Sequence, residues 1–199
     1  GAPAILCAWW VGSEAGNAIC NVLWGDYNPS GKLPMTFPQH NGQIPLYYQY
    51  KSTGRPTALG GWCAKYIDIP TEPAYPFGYG LSYTTFNYSD VKLLPGDGKG
   101  TYTRVAVTVT NTGKCEGEEV VQLYVRDEVA SITRPIKELK GFEKIKLSPG
   151  ESKMVTFDVK DEQLGFYNNQ MKFIVEKGDF TLMVGGNSRD LQEIKYILN

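Results

Sequence analysis

The side chains best suited to chemistry in this sequence follow its first apolar run. Trp9 and Trp10 end that run, and Glu14 comes soon after, at the start of a predicted helix. An indole ring can stack on the C–H face of a sugar, and a carboxyl group can transfer a proton. Each has a structural alternative, because tryptophan also packs in cores and the helix dipole favours an acidic first turn. Successive strand residues point to opposite faces, so we expect at most one of the two indoles to face a given ligand.

A second group of candidates lies in the irregular segment that precedes residue 75. Trp62, Lys65 and Tyr66 combine aromatic and charged side chains, as the wall of a carbohydrate subsite does. Solvated loop charge explains Lys65 equally well. We predict a catalytic role for none of these residues. The candidate substrate rim consists of Trp9, Trp10, Glu14, Trp62, Lys65 and Tyr66.

The composition argues against metal, cofactor and nucleic-acid chemistry. The four cysteines form no C-x-x-C pair, and the single histidine, His40, lies in a turn-like sequence. We therefore expect no metal site and no cofactor. A formal net charge of −1, with both signs spread along the chain, offers no basic surface for nucleic acid. No apolar span is long enough to predict a membrane helix, so we expect no membrane partner.

The sequence also allows expectations about the state of the cysteines and about a segment before residue 1. Cys7 lies in an apolar run and Cys20 in a predicted helix, so both are expected to be buried free thiols. The disulfide state of Cys63 and Cys115 stays open. The chain begins with Gly1 in place of a methionine and runs straight into a predicted strand. We therefore expect a preceding segment, with any targeting signal inside it.

The elements that must position the rim are a strand and a helix. Residues 4–10 form a continuous apolar run, which is typical of a strand buried on both faces of a parallel sheet. A helix follows, with Ser13 as the predicted N-cap and Gly25 as the stop. One strand and one helix cannot cover both faces of a sheet, so we predict the end of a larger α/β domain. Seven prolines between residues 26 and 73 predict a loop-rich connector.

The second half of the chain alternates apolar and polar residues in short segments. This period of two predicts about seven strands and a fibronectin type III-like β-sandwich. We place the α/β remnant with its connector at residues 1–85 and the all-β sandwich at 86–199. The alternating core sets are Val105, Val107 and Val109; Val121, Leu123 and Val125; Val155, Phe157 and Val159; and Phe180, Leu182 and Val184.

Turn residues and a junction complete the organisation. The segment 111–113 is predicted to be a tight hairpin, Asn28 a local turn former, and the run of glutamates that ends at Glu119 a solvated face. The segment 75–84 mixes aromatic rings with Gly and Pro, which indicates a buried seam between the two halves. A second contact between the halves is expected at Arg134-Pro135. A fully buried Phe77 ring in the seam would cost about 3–5 kcal/mol on replacement by alanine.

Five motifs, in this order and at this spacing, closely resemble the C-terminal part of glycoside hydrolase family 3, the β-glucosidase type, over essentially the whole chain. The motifs are Trp9-Trp10, Glu14-Ala15-Gly16-Asn17-Ala18, Gly25-Asp26-Tyr27-Asn28-Pro29-Ser30-Gly31-Lys32-Leu33-Pro34, Tyr75-Pro76-Phe77-Gly78-Tyr79-Gly80-Leu81-Ser82-Tyr83-Thr84 and Asn111-Thr112-Gly113. The resemblance implies a retaining, exo-acting enzyme on β-linked glucosides. It also implies that the nucleophilic aspartate and the acid glutamate lie outside this chain, which is then inert alone.

The same resemblance suggests partners and a location. It implies a β-linked oligosaccharide or glucoside as the substrate, bound through an N-terminal barrel outside this chain, and a periplasmic or secreted protein. A homodimer is a further expectation. The alternative is that the sandwich is a carbohydrate- or subunit-binding module without catalysis, and an exposed aromatic platform would distinguish it.

Overall fold

The structure is a computed structural model that describes residues 2–55 and 63–199. Its first part is mostly irregular, with one α-helix, α1 (Ala15–Trp24), and one 3-10 turn (Asn41–Gln43). The second part contains the strands β1 (Phe86–Pro95), β2 (Thr103–Asn111), β3 (Gly117–Asp127), β4 (Glu138–Leu147), β5 (Ser152–Val159), β6 (Phe166–Tyr167), β7 (Phe173–Ile174), β8 (Gly178–Gly185) and β9 (Leu191–Leu198). A short helix, α2 (Asp161–Leu164), follows β5. Within the described ranges no helix has the length and hydrophobicity to cross a bilayer.

Two antiparallel sheets form the sandwich. One has the strand order β1-β2-β5 and the other the order β4-β3-β8-β9, while β6 and β7 make a separate hairpin. Seven strands therefore build the sandwich, as the alternation predicts. All four alternating sets lie in one buried core cluster, which Ile145, Leu147 and Leu164 complete. The predicted sandwich is confirmed.

The first apolar run does not form the predicted strand. Residues 4–10 have extended or irregular backbone without a partner strand among the described residues, and a strand needs a neighbour for its backbone hydrogen bonds. Ile5 and Trp10 are accordingly exposed. Cys7 and Cys20, expected to be buried, are exposed as well, and all four cysteines are free.

Helix α1 forms close to its predicted position. Glu14 stands at the N-cap position, where Ser13 was expected, and its side chain makes no cap hydrogen bond. Gly25 ends the helix as predicted, because its φ of 86° is left-handed and its backbone N–H bonds the Val22 carbonyl. No residue of α1 is fully buried: Ile19 and Val22 are partly covered, whereas Leu23 and Trp24 are exposed.

The segment 75–84 packs against the sandwich, as the sequence predicts. Pro76 and Gly78 are buried. Gly78 has a φ of 78°, and a Cβ there would collide with the side-chain amide of Gln122 on β3. The Gln122 amide nitrogen donates to the Gly78 carbonyl (3.3 Å) and to the Gly186 carbonyl (2.7 Å). The close approach therefore requires glycine at position 78.

Phe77 stacks on Tyr48 with ring centroids 4.3 Å apart, and the ring is partly buried. We expect Phe77→Ala to lower the free energy of unfolding by about 2 kcal/mol, because truncation costs less for a partly buried ring than for a core ring. Urea denaturation of the chain measures this loss. The control, Phe142→Ala, removes a ring that is 68% exposed and should cost under about 0.5 kcal/mol. Equal losses for the two variants would contradict the packing described.

A second crossing joins the two halves at the predicted place. Lys51 forms an isolated antiparallel bridge with Pro135, and the Ile136 N–H donates to the Tyr50 carbonyl (3.0 Å). The neighbouring Arg134 guanidinium pairs with Glu138 at 2.5 Å. The contact expected at Arg134-Pro135 is confirmed.

Two turn predictions were wrong. The segment 111–113 connects β2 of one sheet to β3 of the other, so it is not a hairpin between paired strands. Asn28 reaches beyond its own turn: its Oδ1 accepts from Ser82 Oγ (2.9 Å) and the Tyr83 N–H (2.8 Å), and its Nδ2 donates to the Glu116 carbonyl (2.8 Å). This side chain joins the connector, the seam and the sandwich.

Candidate functional site

Two extended segments pair beside the predicted rim. The Leu33 N–H donates to the Tyr79 carbonyl (2.8 Å) and the Phe37 N–H to the Tyr75 carbonyl (2.9 Å). The Tyr75 N–H returns a bond to the Phe37 carbonyl (3.2 Å). We call residues 33–37 and 75–79 the paired ribbon. It links the seam on the sandwich to the part of the chain that carries the first tryptophans.

An aromatic row extends along this ribbon. The Trp9 ring meets Phe37 edge-on at 6.2 Å between centroids, Phe37 meets Tyr75 at 6.4 Å, and Tyr75 lies 5.3 Å from Tyr79. Trp9 has a left-handed φ of 49° and its side chain is 55% exposed. Such a conformation costs on the order of 1 kcal/mol or more outside glycine and persists where the surroundings fix it. The row thus ends in a half-exposed indole that contacts Phe37 edge-on.

The other residues predicted near Trp9 are placed differently. Trp10 is fully exposed, and no ring contact to another described residue holds it. The Glu14 carboxylate accepts a hydrogen bond from Asn17 Nδ2 at 2.7 Å, within its own helix. This contact favours the structural alternative for Glu14.

The second group of rim candidates has no described contact with the residues around Trp9. Lys65 and Tyr66 are exposed, and Trp62 lies outside the described residues. Across residues 2–55 and 63–199, no hydrogen bond, ion pair or ring contact joins Lys65 or Tyr66 to the residues around Trp9. The structure therefore brings together Trp9 and the paired ribbon, and the shared rim stays a prediction.

This arrangement suits binding better than bond cleavage. Glycoside hydrolysis uses two carboxyl groups about 5–10 Å apart. Glu14 is the only carboxylic acid among the six rim candidates. In the part of the chain that the structure describes, no cluster of three or more His, Cys, Asp or Glu side chains could hold a metal ion. The described rim candidates therefore combine exposed aromatic rings with a single carboxyl group.

A buried ion pair joins the connector to the sandwich, and sequence reasoning missed it. Lys32 Nζ lies 3.0 Å from both carboxylate oxygens of Glu119, which is 5% exposed although it was expected on a solvated face. The Tyr88 hydroxyl donates to Glu119 Oε1 at 2.8 Å. Burial, and then the Glu119 charge, hold the pKa of Tyr88 far above its ordinary range. We call Lys32, Glu119 and Tyr88 the clasp.

A more exposed contact lies beside the clasp. The Glu118 carboxylate accepts from Ser30 Oγ (3.0 Å) and pairs with Lys144 (2.6 Å). The hydrogen bond from Lys144, followed by that from Ser30, lowers the pKa of Glu118. Glu118 and Glu119 therefore both point to partners on the connector, from adjacent positions of β3.

The family comparisons match both halves of the chain. Residues 1–83 match the family described as the glycosyl hydrolase family 3 C-terminal domain, and residues 119–188 match the fibronectin type III-like domain. A protein named periplasmic beta-glucosidase from Salmonella typhimurium is 51% identical over 199 residues, covering 96% of this chain and 26% of that protein. A beta-xylosidase from Formosa agariphila is 47% identical over 191 residues, covering 94% and 25%.

A solved structure is also similar to nearly the whole chain. The beta-glucosidase from Listeria innocua in complex with glucose matches with a TM-score of 0.87 at 43% identity, covering 95% of this chain and 27% of that chain. The chain thus spans about a quarter of the length of the relatives it matches. The likeness is continuous through the irregular first half, the seam and the sandwich.

Proposed function

This chain belongs to glycosyl hydrolase family 3, as its C-terminal part, and on that premise we propose that it completes a retaining, exo-acting β-glucosidase. The proposed reaction releases terminal β-linked glucose from glucosides or oligosaccharides. The observation that carries this proposal is the likeness to named β-glucosidases over 95–96% of the chain. The retaining mechanism follows from the family resemblance.

In this proposal the chain scaffolds the site and supplies no catalytic residue. Retaining glycosidases need a nucleophilic carboxylate and an acid–base carboxyl group, and the proposed parent protein supplies both outside these 199 residues. The candidate rim adds binding surface. Among its residues, Trp9 has the best support, because its ring is partly exposed and contacts Phe37 of the paired ribbon edge-on.

The remaining parts of the proposal concern location and partners. We propose a periplasmic or secreted parent protein, in line with the name of the Salmonella typhimurium relative. The substrate is a β-linked glucoside or oligosaccharide, and homodimerisation is a further expectation that sedimentation velocity checks. Neither nucleic acid nor a membrane is expected as a partner.

The alternative, a binding module without catalysis, has less support. Six aromatic residues could form a platform on the sandwich. Tyr124 and Phe166 are buried and Tyr196 is partly buried, while the exposed Tyr102 donates its hydroxyl to Asp161. Phe142 and Tyr167 are exposed, but they occupy β4 and the separate β6–β7 hairpin. The relatives that match nearly the whole chain are named as glycosidases, which favours the enzyme reading.

We expect the isolated 199-residue chain to show no turnover of 4-nitrophenyl β-glucoside, because the family resemblance places both catalytic carboxyl groups outside it. A chimera should be active, in which this chain replaces the matching C-terminal quarter of the Listeria innocua β-glucosidase. Its kcat/KM should stay within about one order of magnitude of the parent enzyme. Parallel assays with 4-nitrophenyl β-xyloside separate the glucosidase from the xylosidase reading.

Two results would overturn the proposal. One is steady turnover by the isolated chain after removal of host glycosidases. The other is a chimera that elutes as a folded protein, retains native circular dichroism and still hydrolyses neither substrate. Preference for the xyloside would change the proposed substrate from a β-glucoside to a β-xyloside, while the proposed glycoside hydrolysis would stand.

A further inference from the structure

The clasp is unusual for its position in the sandwich. Glu119 lies on β3 with the same parity as Val121 and Leu123, so its side chain starts from the face that builds the core. The Lys32 and Glu119 side chains are only 15% and 7% exposed. A Cβ at Gly186 would lie 2.6 Å from Glu119 Oε1, so the neighbouring chain leaves space for the carboxylate. The sandwich thus accommodates a charged side chain at the edge of its hydrophobic core.

Burial of this pair is not explained by stability alone. Removing two charges from water carries a large desolvation cost, and well-packed apolar pairs often stabilise a protein as well or better. In some proteins a buried ion pair instead selects one geometry, because both charges must meet at one position. The three hydrogen bonds to Glu119, two from Lys32 Nζ and one from Tyr88, fix that position.

A short covalent and packed path runs from the clasp to the candidate rim. Lys32 directly precedes Leu33, the first residue of the paired ribbon, whose N–H and carbonyl both bond to the opposite segment. At the other end of the ribbon the backbones of Phe37 and Tyr75 exchange two hydrogen bonds, one from each N–H to the other carbonyl. The Phe37 ring then contacts the exposed Trp9 indole edge-on. Every step between the sandwich and the indole is a described contact.

We propose that Lys32 is a positioning residue of the hydrolase: its ion pair with Glu119 sets the paired ribbon on the sandwich and, through Phe37, places the Trp9 indole for stacking on the bound glycoside. The inference rests on the proposed function and deepens it. In this proposal the sandwich contributes to substrate binding, because Glu119 on β3 holds the segment that positions the Trp9 indole.

The first test uses the active chimera described above. Lys32→Met should raise KM for 4-nitrophenyl β-glucoside about tenfold and change kcat less than about threefold, because a displaced stacking surface weakens ground-state and transition-state binding alike. Lys32→Arg should restore KM, since a guanidinium can reach both carboxylate oxygens. The matched control is Lys153→Met, which breaks the exposed pair with Glu143 at 3.2 Å and should leave both constants unchanged.

The second test measures the ribbon directly in the 199-residue chain. In Lys32→Met we expect the Leu33 and Phe37 amides to exchange with deuterium about tenfold faster or more, while β2 and β8 amides keep their rates. Lys153→Met again serves as the control. Since an unpaired Glu119 could prevent folding, the double variant Lys32→Met with Glu119→Leu replaces the pair by apolar side chains. It should fold, and its ribbon amides should still exchange faster than those of the unaltered chain.

The outcomes separate the two proposals. A folded but inactive chimera, together with fast ribbon exchange in Lys32→Met, refutes the proposed function and supports the claim that the clasp holds the ribbon in place. An active chimera whose KM is unchanged in Lys32→Met overturns the positioning role. So does a fall in kcat alone that matches the loss of folded protein, because that result indicates a merely structural pair.

Discussion

Asn111→Ala should lower the free energy of unfolding by about 4 kcal/mol, because it leaves several buried polar groups without partners at once. Asn111 is completely buried. Its Nδ2 donates to the Cys115 and Leu147 carbonyls, both at 2.9 Å. Its Oδ1 accepts from Thr84 Oγ1 (2.6 Å) and from the Gly113 N–H (3.0 Å). One side chain thus ties the seam to the connection between the two sheets.

Urea denaturation of the 199-residue chain measures this effect. Asn168→Ala is the matched control, because Asn168 Oδ1 also accepts two backbone bonds, from Gln170 (2.9 Å) and Lys172 (3.1 Å), but in an exposed turn. It should cost under about 1 kcal/mol. Asn111→Asp keeps the shape and should be nearly as destabilising as alanine, since it points a carboxylate at two carbonyl oxygens. A loss below about 1.5 kcal/mol for Asn111→Ala would show that water replaces the side chain.

The sandwich could be predicted because its signal is local. A period of two places Val105, Val107 and Val109 on one face whatever the partner strands are, and the core contains all of them. The same rule would have found Glu119, which shares its parity with Val121. Composition overrode periodicity there, since adjacent glutamates suggested a solvated face. A charged residue in register with a core face should be taken as a candidate for a buried pair.

The first half resisted prediction for a different reason. The run 4–10 indicates burial between neighbours, but a strand exists only where another strand completes its ladder, and none of the described residues does so. Asn28 and Lys32 lie in a sequence rich in turn residues, which explains them locally and gives no hint of a distant partner. Phe37 stands alone between prolines, so nothing in its surroundings predicted its contact with Trp9.

The sandwich should also lose stability steeply above pH 10, because two of its tyrosines are held in the neutral form. Burial and the Glu119 charge raise the pKa of Tyr88 well above the ordinary value of 10.0. Tyr124 is completely buried, its hydroxyl donates to Gln122 Oε1 at 2.6 Å, and burial raises its pKa as well. Both phenols must therefore keep their protons for the fold to persist.

In the unfolded chain both phenols lose their protons near pH 10, whereas in the folded chain they keep them. The folded state then binds more protons, and the free energy of unfolding falls by about 1.4 kcal/mol per pH unit for each tyrosine. From about pH 9 to pH 11.5 the two together remove about 4 kcal/mol, and below about pH 9 their full contribution remains. Urea titrations at several pH values give the slope. Tyr88→Phe and Tyr124→Phe should each reduce this slope by about 1.4 kcal/mol per pH unit. A slope that neither variant changes would show that other groups govern alkaline unfolding.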